Sequence, residues 1–220
     1  MKCRGIGASS SPLEDNRHLS EIFTLRDIRS WQNPPMDVRV ERTRRRLQSA
    51  LLELARERPL DEVTIAEITA RAGVNRSSFY QHYSDKETLL ADALDAAAET
   101  AATMLPERYE PPSGPPQALI VFLQHVDEHA ELYRSVFGAT GSAVVLARLR
   151  GRIDAIVRAG FVSANSGAYG GLPLDIIAAG ITGSALGVVE AWLLREPRPS
   201  VEVGADWVWR ALLGPGVDWE

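Results

Sequence analysis

Between Arg76 and His82 the sequence reads RSSFYQH. Six of these seven residues carry hydrogen-bonding side chains, and none is a carboxylate. Arginine can hold the O6/N7 edge of guanine with two hydrogen bonds, and glutamine can do the same for adenine. Arg76 and Gln81 are therefore the candidates for base contacts, with Ser77 and Ser78 able to reach bases or phosphate. A second group with chemical potential is His125-Val126-Asp127-Glu128-His129. Two imidazoles four residues apart share a helical face, and H-x-x-E-H is the pattern of a class of zinc peptidases. A catalytic zinc needs a third protein ligand, and no histidine follows His129 in the sequence. The pair reads better as two polar residues on a half-exposed helix. No nucleophile elbow, phosphate-binding glycine loop or paired-carboxylate pattern is found. Catalytic residues, metal sites and cofactors are therefore not expected.

The elements that must present the first group are legible on both sides of it. Thr64 and Glu67 have capping-box spacing, so a helix should begin at Thr64. Ile65, Ile68 and Ala72 give it an apolar side. Gly73 takes positive φ cheaply and should turn the chain. Asn75 is a strong N-cap for a second helix reaching about His82, with Phe79 as its inward anchor and Val74 tucked beneath the turn. Ser84 and Glu87 repeat the box spacing and predict a third helix at once. Helix, glycine turn and short helix make the helix-turn-helix arrangement, whose second helix enters the DNA major groove. An ordinary helical corner with a solvated polar face is the structural alternative. The acid-free outer side of the short helix favours DNA.

The stretch Leu47 to Leu90, LQSALLELARERPLDEVTIAEITARAGVNRSSFYQHYSDKETLL, resembles the DNA-binding domain of the tetracycline-repressor (TetR) family of transcription regulators. The matching pieces are T-I-x-x-I, A-G-V-N-R-S-S-F-Y-Q-H-Y and D-K-E-x-L-L. Thr69 stands where the family usually has alanine, and Asn75 and Ser77 replace the commoner serine and glycine or alanine. The resemblance implies an all-α protein with an N-terminal three-helix reader and a long helix leading to a C-terminal ligand-binding and dimerisation domain. It implies a homodimeric repressor that binds a palindromic double-stranded operator and is released by a small-molecule effector. Thr64, Tyr80, His82 and Lys86 match family positions that mostly grip phosphate, and Asn75 joins the DNA-binding set.

Composition sets the bounds. The 220 residues suffice for a real core, and the net charge of −5 argues against nonspecific coating of nucleic acid. Residues 36–90 hold ten Arg/Lys against nine Asp/Glu, whereas residues 91–220 hold nine against sixteen. The positive pole thus lies with the reader. Cys3 is the only cysteine, which excludes an intrachain disulfide and fits a reducing, cytoplasmic setting. No stretch resembles a secretory signal. The most apolar run, Ile176 to Val189, is too short to span a bilayer, so no membrane is expected.

Along the chain, residues 1–35 read as a disordered extension or a misassigned start, residues 36–84 as the reader, and residues 85–220 as the helical remainder. Asp37 to Glu57 is predicted helical through Val40, Leu47, Leu51 and Leu54. Arg42, Arg44, Arg45 and Arg46 crowd its first turns, and Arg42 and Arg45 are candidate phosphate contacts. A long helix is predicted over Ser84 to Leu105, a proline-rich break over 106–116, and one helix over Gln117 to Phe137. A helix over Gly141 to Gly160 should turn Val144, Val145, Leu149 and Ile153 inward and Arg148, Arg150, Arg152 and Arg158 outward. Phe161 to Gly171 reads as a loop. Pro173 to Leu194 is the most apolar helix, and Val201 to Leu213 is the last. Gly180, Gly183, Ser184 and Gly187, with Trp207 and Val208, are the candidate dimer contacts. Phe122, Val126, Tyr133, Phe137, Phe161 and Trp192 are the candidate effector contacts, suited to an aromatic or planar apolar ligand. A helix-turn-helix regulator without any ligand, activating or controlled by a partner, is the alternative. A metal enzyme built on His125 and His129 is a remote one.

Overall fold

The computed structural model describes residues 38–105, 114–139, 141–164 and 171–213; side chains of 161–164 and of residue 213 are outside this description. The expectation for residues 1–35 falls outside it too, as do Asp37 and most of the proline-rich break. All regular structure among the described residues is helical.

α1 spans Val38–Glu57 and buries Leu47, Ala50, Leu51, Leu54 and Ala55, a stripe at helical spacing. A 3-10 turn at Leu60–Glu62 follows Pro59. α2, Ile65–Ala72, starts with the full capping box: Thr64 Oγ1 accepts from the Glu67 amide, and Glu67 accepts from the Thr64 amide. Gly73 ends it at φ 63°, the left-handed region where a side chain is strained. α3, Arg76–His82, is capped by the Asn75 side chain, which accepts from the Ser78 amide at 2.7 Å. α4 runs Lys86–Ala102. Its cap is Asp85, which accepts from the Thr88 amide, and not the Ser84–Glu87 box that the spacing predicts. Glu87 is drawn instead to Ser142 Oγ at 2.8 Å, tying the start of α4 to the segment before α7.

The predicted helix over Gln117 to Phe137 is in fact two. α5, Gln117–Glu128, stops at His129, whose φ of −121° and ψ of 36° leave the helix, and α6 resumes over Ala130–Phe137. The apolar stripe runs unbroken through Phe122, Val126 and Tyr133, so the pattern gave no sign of the break. α7 covers Ala143–Ala164, extending helix into the predicted loop after Gly160. Its inward stripe begins at Val145 and Leu149, while Val144, expected inside, is 70% exposed. α8 covers Leu174–Leu193 and α9 Val201–Leu213.

α4 is the spine, packing on α1, α5 and α7; α7 packs on α8, α8 on α9, and α9 returns to α5. α9 approaches closely because Gly204 has no side chain. A Cβ there would sit 2.9 Å from the Trp192 ring and 3.1 Å from Leu123. One continuous apolar cluster runs from Leu47 in α1 to Val208 in α9. Each large side chain fully removed from water contributes roughly 1.5–3 kcal/mol. The expected boundary between 36–84 and 85–220 lies inside this core, at the turn before α4.

α8 is longer than its apolar run: 20 residues at mean hydropathy 1.6, long and apolar enough to cross a membrane by length and composition, with a third of that stretch buried here. Ala178, Thr182, Leu186, Val189, Trp192 and Leu193 face inward. Gly180, Gly183, Ser184 and Gly187 are exposed, along with Ile176 and Leu194. Val208, expected at a subunit surface, is fully buried, because it faces the core side of α9. Trp207 is half-buried beneath the Arg195 guanidinium, 5.2 Å from its ring centre.

Candidate nucleic-acid interface

α3 presents its polar side outward. Phe79 has no exposed surface, and its ring meets Tyr80 and Tyr83 at centroid distances of 5.3 and 5.8 Å. With Phe79 fixed inward, Asn75, Arg76, Ser77, Tyr80 and Gln81 are exposed, and Ser78 and His82 half-buried. Arg76 Nη2 donates to Tyr80 Oη at 3.3 Å and its guanidinium lies over that ring. The pair forms one exposed edge of donors on the outer side of the helix. Ser77 Oγ donates to Asn75 Oδ1 at 2.7 Å, so Asn75 is engaged as a cap from two directions. Arg42 is exposed on α1; Arg45, also exposed, pairs with Glu41 at 2.7 Å.

Comparison with known proteins bears on this geometry. Residues 47–93, which cover α2, α3 and the first half of α4, match the family model for bacterial regulatory proteins of the tetR family. A 56-residue stretch is 45% identical to YxbF, an HTH-type transcriptional regulator of Bacillus subtilis (strain 168); it takes in 25% of this chain. Residues 47–93 are thus similar to the TetR-family reader.

The YxbF match spans only 15% of that relative's length, so it speaks for the reader alone. Similarity of fold extends over most of the chain. A TetR-family transcriptional regulator from Mesorhizobium loti superposes with a TM-score of 0.53 at 22% identity, over 80% of this chain and 98% of that one. The FadR repressor of Thermus thermophilus, a TetR-family protein in complex with lauroyl-CoA, gives 0.52 at 18% identity, over 80% and 96%. At such identities the likeness establishes the all-helical fold.

Two residues expected at phosphate are placed otherwise in this chain. Lys86 is half-buried, and its ammonium donates to the carbonyls of Leu60, Asp61 and Val63. Burial, only partly offset by Asp61 and Glu87, lowers its pKa. As placed, Lys86 pins the 3-10 turn to the start of α4 and does not reach outward as a phosphate ligand. Thr64 Oγ1 donates its one proton to Glu67 Oε2 at 2.7 Å, committing the hydroxyl to the cap. These bonds, with the Arg58 guanidinium, pull the Glu67 carboxyl down to about 2.

The sequence did not reveal a polar hub beneath the reader. Asp92 and Asp95, on the otherwise apolar inner side of α4, are both buried. Asp92 accepts from Tyr83 Oη at 2.6 Å, Gln48 Nε2 at 2.7 Å, Arg44, and Arg148 Nη2 at 3.3 Å. Arg148 Nε also donates to Asp95 at 2.7 Å. Burial alone would raise the Asp92 carboxyl, but bonds from Tyr83 and Arg44 prevail and lower it. For Asp95 burial prevails over the arginines, and its pKa rises. Arg44, one of the four crowded arginines of α1, thus points inward, and Arg148, expected outward, reaches back to α4. Tyr83 closes the C-terminal end of α3, so the hub joins α1, the end of the reading helix, α4 and α7. The available signal was acidic residues at 92 and 95 opposite arginines at 148 and 152.

The candidate effector residues separate into two places. Phe122, Tyr133 and Phe137 form a ring cluster with centroid distances of 6.3 and 6.2 Å, and Val126 is buried nearby in α5. Trp192 stands apart against Gly204 and donates its indole N–H to the Pro199 carbonyl at 3.0 Å. The Phe161 side chain lies outside the described residues. His125 and His129 have ring centres 4.4 Å apart. Among the described residues no group of three or more His, Cys, Asp or Glu is placed to hold a metal.

Proposed function

We propose that this regulator is a homodimeric repressor that reads a palindromic operator through α3 and is released by a small-molecule effector. The single observation that carries the reading is α3 itself, anchored by a fully buried Phe79 with its acid-free polar edge turned outward. Arg76 and Gln81 contact bases, with Ser77 and Ser78 at bases or phosphate. Tyr80, His82, Arg42 and Arg45 contact phosphate, and Asn75 holds the helix start in register. Residues 36–84 act as the reader and residues 85–220 as the effector and dimer part, working in the cytoplasm.

The uncovered side of α8 supports the dimer. Ile176 is 56% and Leu194 66% exposed, and the glycines between them have nothing within 4 Å of a built Cβ. An apolar face of this length is matched by a second copy of itself about a twofold axis. A small-molecule effector is also supported by the Thermus thermophilus repressor of similar fold, which is in complex with lauroyl-CoA. Val126, Phe122, Tyr133 and Phe137 are the contacts we assign to the effector here. The alternative, a regulator without a ligand, draws on the small size of the cavity between α6 and α8, about 60 Å³. That is well below the roughly 300–1,000 Å³ of drug-sized sites, so an effector seated in this cavity must open the core around it.

The test is selection of bound duplexes from a random pool, followed by titration of wild type and Arg76→Ala. Loss of a bidentate guanine contact removes roughly 1–3 kcal/mol from specific binding. Random duplex should be bound almost as before. Equal loss on both duplexes would defeat the assignment of Arg76 to a base.

A further inference from the structure

His125 and Tyr133 stand on either side of the break between α5 and α6. Their rings meet edge to face at 5.8 Å. Tyr133 has no exposed surface, yet among the described residues its hydroxyl has no hydrogen-bond partner, and neither has the buried Nε2 of His125. The neighbouring His129 is satisfied, with Nδ1 at 3.0 Å from the His125 carbonyl. A buried hydroxyl without a partner is less stable than the phenylalanine that would fill the same space. Two such orphans in one aromatic cluster mark a place where a polar guest completes the bonding.

The surroundings decide the guest's class. Burial, then the nearby His129 and Arg56, keep the His125 imidazole neutral at physiological pH. The Arg56 guanidinium from α1 is paired with Glu128 at 2.7 Å, and both are largely exposed. A buried carboxylate guest would therefore arrive without a dedicated counter-charge. A hydroxyl suits both orphans: it accepts from Tyr133 Oη and donates to His125 Nε2 when the imidazole proton is on Nδ1. Phe122 and Phe137 offer the flanking apolar faces. Phe137 also lines the cavity between α6 and α8, which supplies part of the space its ring needs to move aside.

We propose that His125 and Tyr133 are the polar contacts of the effector site, and that the effector is an uncharged aromatic alcohol of the phenol class. This rests on the reading of the protein as ligand-gated. The site abuts the reader: Glu128, one residue before the break at His129, is the residue that pairs α5 to Arg56 of α1. A guest that reshapes the break acts directly on that contact.

The experiment compares 4-ethylphenol, ethylbenzene and 4-ethylbenzoate by thermal shift and by release of the selected duplex. Wild type, Tyr133→Phe and His125→Phe are assayed at matched concentrations. A guest that binds the folded state raises the melting temperature by mass action. The expected result is stabilisation and release by 4-ethylphenol alone, weakened about tenfold in each variant. Tyr133→Phe keeps the ring and should fold, so undiminished 4-ethylphenol binding by that folded variant overturns the proposal. Equal binding of ethylbenzene or 4-ethylbenzoate, or no response to 4-ethylphenol, also overturns it. A broad compound screen then separates the two readings. Release by another class leaves ligand gating standing, and silence throughout defeats both.

Discussion

Burial of the His125 imidazole lowers its pKa to about 4, with the His129 ring and Arg56 adding to the effect. In the unfolded chain the same group titrates near 6.5. Between these values the unfolded chain holds a proton that the folded chain does not. Stability must therefore rise with pH across that window, be complete above about 6.5, and be lost as pH falls toward 4. His129 is also lowered, chiefly by burial, and contributes in the same direction. Carboxylates with lowered pKa, such as Glu67, titrate mostly below pH 5 and leave the upper part of the window to histidine. Urea unfolding at pH 5.0, 5.7 and 6.5 should give midpoints that climb with pH in the wild type. His125→Phe should flatten the climb, and an unchanged slope would mean that the imidazole is already protonated in the fold.

At the scale of elements, Asp92 fastens four of them through one carboxylate. Its removal takes the carboxylate acceptor away from part-buried Arg44 and from the buried Tyr83 hydroxyl. Asp92→Ala should destabilise by roughly 2–3 kcal/mol, below the value for a fully buried pair because Arg44 and Arg148 retain some solvent. Operator affinity should fall as well, since Tyr83 ends α3. Chemical denaturation and duplex titration of Asp92→Ala and Asp92→Asn check this, with the asparagine variant intermediate. The elements themselves were largely legible where their determinants are local. Thr64 with Glu67, Gly73 and Asn75 are read from neighbours within four residues, and all form as the spacing predicts. The second box failed because Asp85 competes for the same amides and Ser142 draws Glu87 away. Arg148 and Lys86 were misjudged, and Arg44 was left without a role, for a related reason. A long cation on a helix can turn either way, and only its partner across the fold, absent from any local pattern, decides which.

For the whole molecule, the small-residue face of α8 gives a discriminating test of association. In one subunit a methyl added at Gly183 meets nothing within 4 Å. Replacing a helical glycine by alanine should then stabilise by roughly 0.5–1 kcal/mol. In a tightly packed pair the same methyl overfills the contact and opposes association. Gly183→Ala should therefore lower the melting temperature and weaken the dimer in sedimentation velocity, and Gly183→Leu should yield monomer. A gain in melting temperature with unchanged sedimentation would remove α8 from the interface. The stripe of small residues was visible in the sequence, because composition alone shows it. Which side of α9 faces out was not: Val208 and Trp207 are adjacent, and only the approach of Gly204 to Trp192 rotates Val208 inward.

The Asn75 cap carries a thermodynamic corollary for encounter with DNA. Because the protein's own amide side chain closes the first turn of α3, and Phe79 and Tyr83 fasten the rest, the backbone of that helix is ordered before any duplex arrives. Docking then restricts chiefly the torsions of a few exposed side chains, each at most about 2 kcal/mol of lost freedom. Calorimetry of the union should accordingly show a heat-capacity change near that of rigid-body contact, without the larger signature of a segment that coils only on arrival.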